Sequence, residues 1–134
     1  MGNGWRIVGI GVDIVEVDRI AAALERHGSR FLRRCFLPAE VAYCQRMTNP
    51  APHLAARFAA KEAVAKAIGT GIGQHLGWTD IEVGRGEEGQ PFLIWRDRGA
   101  VLARARGVTD AWLSLSHCRA YAVAQAVLVS APTV

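Results

Sequence analysis

The sequence predicts an α+β fold, a single domain spanning residues 1–134 in which a mainly antiparallel sheet packs against helices. The length of 134 residues suits one domain with one hydrophobic core. Hydrophobic residues make up 51% of the chain and charged residues 21%, which is ordinary for a globular protein. The predicted elements run as one strand, then helices, then further strands. This order is typical of α+β proteins rather than of alternating α/β proteins.

The chain begins with a predicted strand followed by a helix. Residues 6–14 read RIVGIGVDI, a β-branched run with two glycines that predicts a strand ending near Asp13. Apolar residues at helical spacing predict an amphipathic helix over about 15–27. Arg19 and Arg26 lie seven positions apart, so they share one face of this helix.

Two further helices are predicted before the centre of the chain. The first covers residues 37–47 with a proline in its first turn, and TNPAP (48–52) reads as a break. The second runs over about 53–68 and ends at Gly69. One side of it carries only small residues, which lets another element approach closely: Ala56, Ala60, Ala63 and Ala67. Its charges are not confined to one side, so we expect one face to pack and another to line a cleft.

The second half of the chain is predicted to be mostly strands. Residues 80–85 and 91–95 read as two strands joined by the turn GEEGQ, and 97–107 reads as a helix. Residues 111–117 and 120–128 form a predicted closing hairpin.

The net charge of +4 favours an anionic partner, which could be nucleic acid, an acidic protein or a phosphorylated small molecule. The sequence has no aromatic pattern of an RNA-binding sheet, no zinc-finger spacing and no basic arm, so we expect no nucleic acid partner. No apolar run is long enough to span a membrane, and the N-terminal residues do not resemble a signal peptide. Three cysteines without a CxxC pair fit a reducing compartment, so we expect a cytoplasmic protein.

The only two lysines of the chain, Lys61 and Lys66, flank Glu62. This placement suggests that both lysines lie over phosphates. Asp13 alone reads best as a cap or turn residue, and Glu62 alone as an i,i+4 partner of Lys66. Taken together, the two carboxylates and the lysines predict a metal–phosphate site, since Mg²⁺ is commonly held by one or two carboxylates and phosphate oxygens.

The glycine run GTGIG (69–73) does not form a P-loop, because a P-loop precedes its helix and these glycines follow one. We expect them to end the helix and to let a chain or ligand pass closely. His117 closes the segment LSLSH, and a lone histidine there is more often structural than catalytic. Ser114, Ser116 and Cys118 lack a G-x-S-x-G elbow, which disfavours hydrolase chemistry.

The sequence resembles the holo-acyl-carrier-protein synthases, the short class of 4′-phosphopantetheinyl transferases. Three segments match that family in order and spacing: GIGVDIVEVDRI (9–20), RFAAKEAVAKAIGTGIG (57–73) and SLSH (114–117). The turn GQPF (89–92) also resembles a family turn, and the likeness covers nearly the whole chain.

The resemblance implies transfer of the 4′-phosphopantetheine arm from coenzyme A to a serine of an apo acyl carrier protein. The products are holo carrier protein and adenosine 3′,5′-bisphosphate. By similarity, Asp13 and Glu62 hold Mg²⁺ (Mn²⁺ is possible) against the diphosphate of coenzyme A, and Lys66 contacts that diphosphate; these three are the expected catalytic residues. The general base is open between Glu62, Asp13 and a water on the metal.

The resemblance also implies the remaining contacts. Arg57 and His117 are expected at the nucleotide end, including its 3′-phosphate. The residues expected to border the coenzyme are glycines and the proline of the family turn: Gly69, Gly71, Gly73 and Pro91. Arg19 and Arg26 are expected to dock the acidic carrier protein, which could serve fatty acid, polyketide or peptide synthesis.

Enzymes of this family are typically homotrimers with active sites between neighbouring subunits, and we expect the same here. Two positions depart from the family pattern: Gln90 stands where a basic residue is usual, and Cys118 where a hydroxyl residue is common. Both concern the adenosine end. The main alternative is a non-catalytic basic module that binds an acidic carrier protein.

Overall fold

The computed structural model describes residues 4–132, which form five β-strands, five α-helices and one short 3-10 turn. The strands are β1 (Arg6–Glu16), β2 (Ile81–Arg85), β3 (Pro91–Trp95), β4 (Asp110–His117) and β5 (Tyr121–Ser130). The helices are α1 (Val17–His27), α2 (Ser29–Cys35), α3 (Pro38–Gln45), α4 (Pro50–Ile68) and α5 (Asp97–Ala105). The 3-10 turn is Trp78–Asp80.

All strand pairings are antiparallel, which confirms the predicted α+β class. The strands form two sheets: a three-stranded sheet in the order β1-β5-β4 and a two-stranded sheet of β2 and β3. The predicted closing hairpin is β4 and β5, and the predicted hairpin around GEEGQ is β2 and β3.

Helix α4 lies at the centre of the molecule, where it packs against the three-stranded sheet. Most of its residues are buried around the whole circumference, as expected for a core helix. The predicted small-residue face is confirmed at its contact with β1. A Cβ atom added at Gly9 would lie 1.7 Å from the Ala67 carbonyl oxygen, and one added at Gly11 would lie 1.8 Å from the Ala63 carbonyl oxygen. The backbones of β1 and α4 are therefore in direct contact.

Two element boundaries and one additional helix are the main differences from the predictions. Strand β1 continues to Glu16, so Asp13 lies inside the strand and not at its end. Helix α4 begins at Pro50, and the side chain of Asn49 accepts a hydrogen bond from the Ala51 N–H at 3.4 Å. The proposed break at 48–52 is wrong because proline fits the first turn of a helix, where its missing N–H would have no partner. Helix α2 was not predicted.

The outer face of β1 is apolar and exposed. Ile10, Val12 and Ile14 alternate along the strand, and they are 58%, 58% and 63% exposed. Trp112 of β4 and Val123 of β5 extend the same exposed face. A patch of this kind marks an interaction surface in soluble proteins. None of the helices within residues 4–132 combines the length and the hydrophobicity that a membrane span requires.

Candidate active site

The first part of the site, here called the carboxylate site, consists of Asp13, Glu62 and Lys66. Asp13 occupies the inner face of β1 opposite Ala124 of β5, and α4 packs against this face. The Lys66 ammonium donates to Asp13 Oδ1 at 2.9 Å and to the Val12 carbonyl oxygen at 3.1 Å. The Lys66 side chain is 52% exposed, so its charge is accessible to a ligand.

Glu62 is close enough to Asp13 for the two charges to interact. Burial raises the pKa of Glu62 above its ordinary value, and the Asp13 carboxylate raises it further, while Lys66 and Arg19 act in the opposite direction. The structure thus brings together the two carboxylates that the sequence could only suggest. A carboxylate pair of this kind gains from a bound cation, which relieves the repulsion between its members.

The donor set fits Mg²⁺ held jointly with a phosphorylated ligand. Among the described residues, no cluster of three or more histidine, cysteine, aspartate or glutamate side chains could hold a metal by itself. Two carboxylates leave most of an octahedral shell to water and phosphate oxygens, which is how Mg²⁺ is commonly bound in enzymes that act on phosphates.

Lys61 does not belong to the carboxylate site, so the expectation that both lysines lie over phosphates is wrong for this residue. Its side chain is fully buried, and its ammonium donates to Glu40 Oε1 at 2.6 Å. The same ammonium donates to the carbonyl oxygens of Cys35 at 2.8 Å and Trp78 at 3.0 Å. Glu40 in turn accepts the Val83 N–H at 2.8 Å. Lys61 therefore ties α4 to α2, α3, β2 and the 3-10 turn.

The second part of the site, here called the arginine cleft, is a cleft of about 630 Å³ lined by α3, α4, β2 and β3. Arg57 is only 1% exposed, and its guanidinium carbon lies 4.3 Å from the centre of the Tyr43 ring. Within residues 4–132, its Nε and Nη1 atoms have no hydrogen-bond partner. Burying hydrogen-bond donors without partners costs free energy. An anion that accepts hydrogen bonds from Arg57 would remove this cost, so we expect the cleft to favour anionic ligands.

Arg46 and Arg85 line the same cleft and were not identified from the sequence. The one carboxylate on its lining, Glu82, is paired with Arg96 at 2.7 Å. Arg85 stands opposite Pro91 in the β2–β3 ladder. A basic side chain is thus present beside the family turn, where Gln90 supplies no charge.

His117 ends β4, and its exposed ring stands edge-on to the ring of His53 on α4, with 5.0 Å between the ring centres. His53 was not identified from the sequence. Burial lowers the pKa of His53 below its ordinary value, and the charges of His117, Arg57 and Arg85 lower it further. These four side chains therefore share one electrostatic environment next to the arginine cleft.

The two parts of the site lie on opposite sides of α4. His53 and Arg57 are one helical turn apart, as are Glu62 and Lys66, and the second pair follows the first by nine residues. Nine residues correspond to a rotation of roughly 180° about the helix axis. A single chain therefore presents the carboxylate site and the arginine cleft in opposite directions.

The glycine run ends α4, as the sequence predicted. Gly69 adopts a left-handed conformation with φ of 98°, and its N–H bonds to the carbonyl oxygens of Ala65 and Lys66, each at 3.1 Å. A side chain added at Gly71 or Gly73 would meet no atom within 4 Å, so there is open space beside this loop.

Arg19 and Arg26 are both exposed on α1. The positive charge of Arg19 lowers the pKa of Glu62, which shows that the two side chains are close. The basic face of α1 therefore adjoins the carboxylate site. A ligand docked on α1 would therefore lie next to Asp13 and Glu62.

Comparison with known proteins is consistent with this geometry. The family model described as the 4′-phosphopantetheinyl transferase superfamily matches residues 9–126. The holo-[acyl-carrier-protein] synthase of Koribacter versatilis is 49% identical over 122 residues, which cover 91% of this chain and 98% of the relative. The corresponding synthase of Moorella thermoacetica is 50% identical over 120 residues, which cover 90% and 92%.

A solved structure gives the same result. The crystal structure of a holo-(acyl-carrier-protein) synthase from Bacillus anthracis in complex with CoA (3′,5′-ADP) matches with a TM-score of 0.78 and 38% sequence identity. The match covers 93% of this chain and 98% of that one.

Proposed function

Because this chain belongs to the 4′-phosphopantetheinyl transferase superfamily, we propose that it transfers the 4′-phosphopantetheine arm of coenzyme A to a serine of an apo acyl carrier protein. The products are holo carrier protein and adenosine 3′,5′-bisphosphate. The observation that carries the proposal is the carboxylate site, where Asp13, Glu62 and Lys66 converge beside a basic docking helix. The Bacillus anthracis relative was crystallised with CoA (3′,5′-ADP), which supports coenzyme A as the donor.

In this reaction the serine oxygen of the carrier protein attacks the phosphorus that bears the pantetheine arm. The bond from that phosphorus to the bridging oxygen breaks, and the serine proton is released. Phosphoryl transfer depends mainly on positioning and on stabilising charge around the reacting phosphorus. The nucleophile belongs to the partner, so this chain needs no activated serine of its own.

Asp13 and Glu62 fit the role of ligands to Mg²⁺, which when bound would neutralise and orient the diphosphate. Lys66 lies 2.9 Å from Asp13 and is half exposed, so its ammonium can contact the diphosphate beside the carboxylates. The open space beside Gly71 and Gly73 leaves room for the coenzyme to pass, and Gly69 ends the helix directly before it. At the other end, Arg57 and His117 bind the nucleotide, with Pro91 at the border of the arginine cleft.

The test is mass spectrometry of an intact apo acyl carrier protein after incubation with this protein, coenzyme A and Mg²⁺. We expect the carrier to gain the mass of one phosphopantetheine arm, and a parallel sample with EDTA to remain unmodified. If fatty-acid, polyketide and peptide carriers all stay unmodified in the presence of Mg²⁺, the proposed activity is wrong. Carriers that bind without being modified would indicate a binding module instead.

We further propose that the working form is a homotrimer in which each active site combines the carboxylate site of one subunit with the arginine cleft of its neighbour. Two observations support this assembly. The two parts of the site face opposite directions in a single chain, so one coenzyme cannot easily reach both. The apolar face around Ile10, Val12 and Ile14 offers a surface for a second copy.

Mixing two inactive variants tests this assembly. Glu62→Gln disables the carboxylate site, and His117→Ala disables the nucleotide end beside the arginine cleft, so each homotrimer is expected to have little activity. In randomly mixed trimers, about a quarter of the sites receive both intact halves, and activity should return accordingly. If mixing restores no activity although the chains exchange, each site is contained within one subunit.

The apolar face can be tested separately by light scattering after size-exclusion chromatography. Val12→Lys should reduce the mass from three chains to one, because a charge at the centre of the interface remains poorly solvated. Val101→Lys is the matched control, since Val101 is 64% exposed on α5, away from this face. A trimeric Val12→Lys protein would contradict the proposed interface.

The acidic carrier protein is proposed to dock on α1 through Arg19 and Arg26, which places its serine next to the carboxylate site. Attraction between exposed charges is screened by salt. The KM for the carrier protein should therefore rise between 50 mM and 500 mM salt more steeply in the unsubstituted protein than in Arg26→Gln. Equal salt dependence in both proteins would remove Arg26 from the docking surface.

We place the enzyme in the cytoplasm, where the free thiols of Cys35, Cys44 and Cys118 would persist.

A further inference from the structure

We propose that His53 is a further binding residue for coenzyme A, which together with Arg57 and His117 holds the 3′-phosphate and selects for it. This inference rests on the proposed function and extends it to a side chain outside the three matched segments. Three observations carry it: the position of His53 on α4, its contact with His117, and the unpaired donors of Arg57.

His53 lies one helical turn before Arg57, so both side chains emerge from the same face of α4. The rings of His53 and His117 stand 5.0 Å apart at an angle of 69°. The arginine cleft lies next to the two histidines, and its lining includes Arg46, Arg57 and Arg85. A phosphate bound between the two histidines would therefore face cations from α4, β2, β4 and the segment after α3.

The charges that face His53 are nearly all positive. They are Arg57 on its own helix, His117 on β4 and Arg85 on β2. Glu82 of β2 lines the arginine cleft, but Arg96 holds it in an ion pair. In the free protein, burial and these cations keep the pKa of His53 below its ordinary value, which favours the neutral imidazole.

A bound phosphate dianion would raise the pKa of His53, because a nearby negative charge favours the imidazolium. Binding would then be accompanied by uptake of a proton at His53. Since the pKa of His53 is higher in the complex than in the free protein, affinity is greatest at low pH and falls as the pH rises between the two values. His53 would thus make binding of the 3′-phosphate dependent on pH.

The test compares His53→Gln with the unsubstituted protein, using coenzyme A and dephospho-coenzyme A, which lacks the 3′-phosphate. We expect KM for coenzyme A to rise about tenfold at pH 6.5 and much less at pH 8.5, with kcat within about twofold. KM for dephospho-coenzyme A should not change. His75→Gln is the matched control, since His75 is exposed in the loop after the glycine run.

Equal increases in KM for both donors would mean that His53 only shapes the cleft, and an unchanged KM for coenzyme A would remove it from the site. Either result overturns the inference while leaving the transferase activity in place. If the unsubstituted protein modifies no carrier, the proposed function itself has failed.

A measurement on the unsubstituted protein avoids any effect of substitution on folding. Titration of the imidazole signals by nuclear magnetic resonance should show the pKa of His53 rising when adenosine 3′,5′-bisphosphate is added. Adenosine 5′-monophosphate should cause a smaller rise. A His53 pKa that does not respond to the bisphosphate contradicts the inference.

Discussion

Lys61→Met should lower the free energy of unfolding by about 3–5 kcal/mol, because it leaves the buried carboxylate of Glu40 without its cation. Burial lowers the pKa of Lys61, and the contact with Glu40 opposes that shift, so the ion pair offsets the cost of burying the ammonium. The donor to the carbonyl oxygens of Cys35 and Trp78 would also be lost. Denaturation by urea, followed by circular dichroism at matched protein concentration, measures the change.

The matched control is the same replacement at the other lysine. Lys66 is 52% exposed, so Lys66→Met should cost less than about 1 kcal/mol of stability. Its effect should fall on the reaction: we propose that Lys66 contacts the diphosphate, so loss of this cation should lower kcat roughly 100-fold. If the two lysines behaved alike in both assays, the separation of a structural lysine from a catalytic one would be wrong.

The double variant Glu40→Gln with Lys61→Met gives a further check. Glutamine keeps one acceptor oxygen, so it can still accept the N–H of Leu37 or that of Val83 but not both, while the uncompensated buried charge is removed. Stability should therefore recover in part relative to Lys61→Met. A double variant as unstable as the sum of the two single ones would mean that the side chains do not interact.

Glu62→Gln should reduce the rate of transfer roughly 100- to 1000-fold, because glutamine keeps the shape of the side chain but loses the charge that we propose to hold the metal. The same substitution should raise the stability of the folded protein at neutral pH. The pKa of Glu62 is raised in the folded protein, so its contribution to stability is present below about pH 4.5 and lost as the pH rises through the folded value. At neutral pH the glutamine variant should therefore melt at a higher temperature.

The rate is measured by carrier modification and the melting temperature by calorimetry without added metal. The advantage in melting temperature should disappear near pH 4, where Glu62 is protonated in both states. Asp110→Asn is the control for an exposed carboxylate away from the site, and it should leave both quantities unchanged. An active Glu62→Gln enzyme would exclude a charged role for this residue.

Local sequence patterns were sufficient for the strands and for most of the helices. The closing hairpin follows from alternating side chains over 111–128, and α4 follows from its alanine-rich helical spacing and from Gly69. The start of α4 could not be inferred correctly, because two prolines within five residues read equally well as a break or as a first turn. Helix α2 is only seven residues long, and its arginine-rich sequence shows no clear period.

The proximity of the candidate site residues was predictable where one motif brings them together and unpredictable where tertiary packing does. Glu62 and Lys66 lie one helical turn apart, and the matched segments linked them to Asp13. Nothing local identifies Glu40, 21 residues before Lys61, as the partner of that lysine. The residues beside the proposed nucleotide end come from separate elements, and only the fold reveals their proximity: His53, Arg46 and Arg85.

The contact of Gly9 and Gly11 with Ala67 and Ala63 has a consequence for how this enzyme tolerates change. Because two backbones touch there without intervening side chains, the separation between Asp13 and Glu62 is fixed by peptide geometry. Substitutions elsewhere in the core can be absorbed by repacking and leave that separation intact. At these four positions any larger residue would push β1 away from α4. In a mutational library, they should tolerate the least variation although none of them carries a functional group.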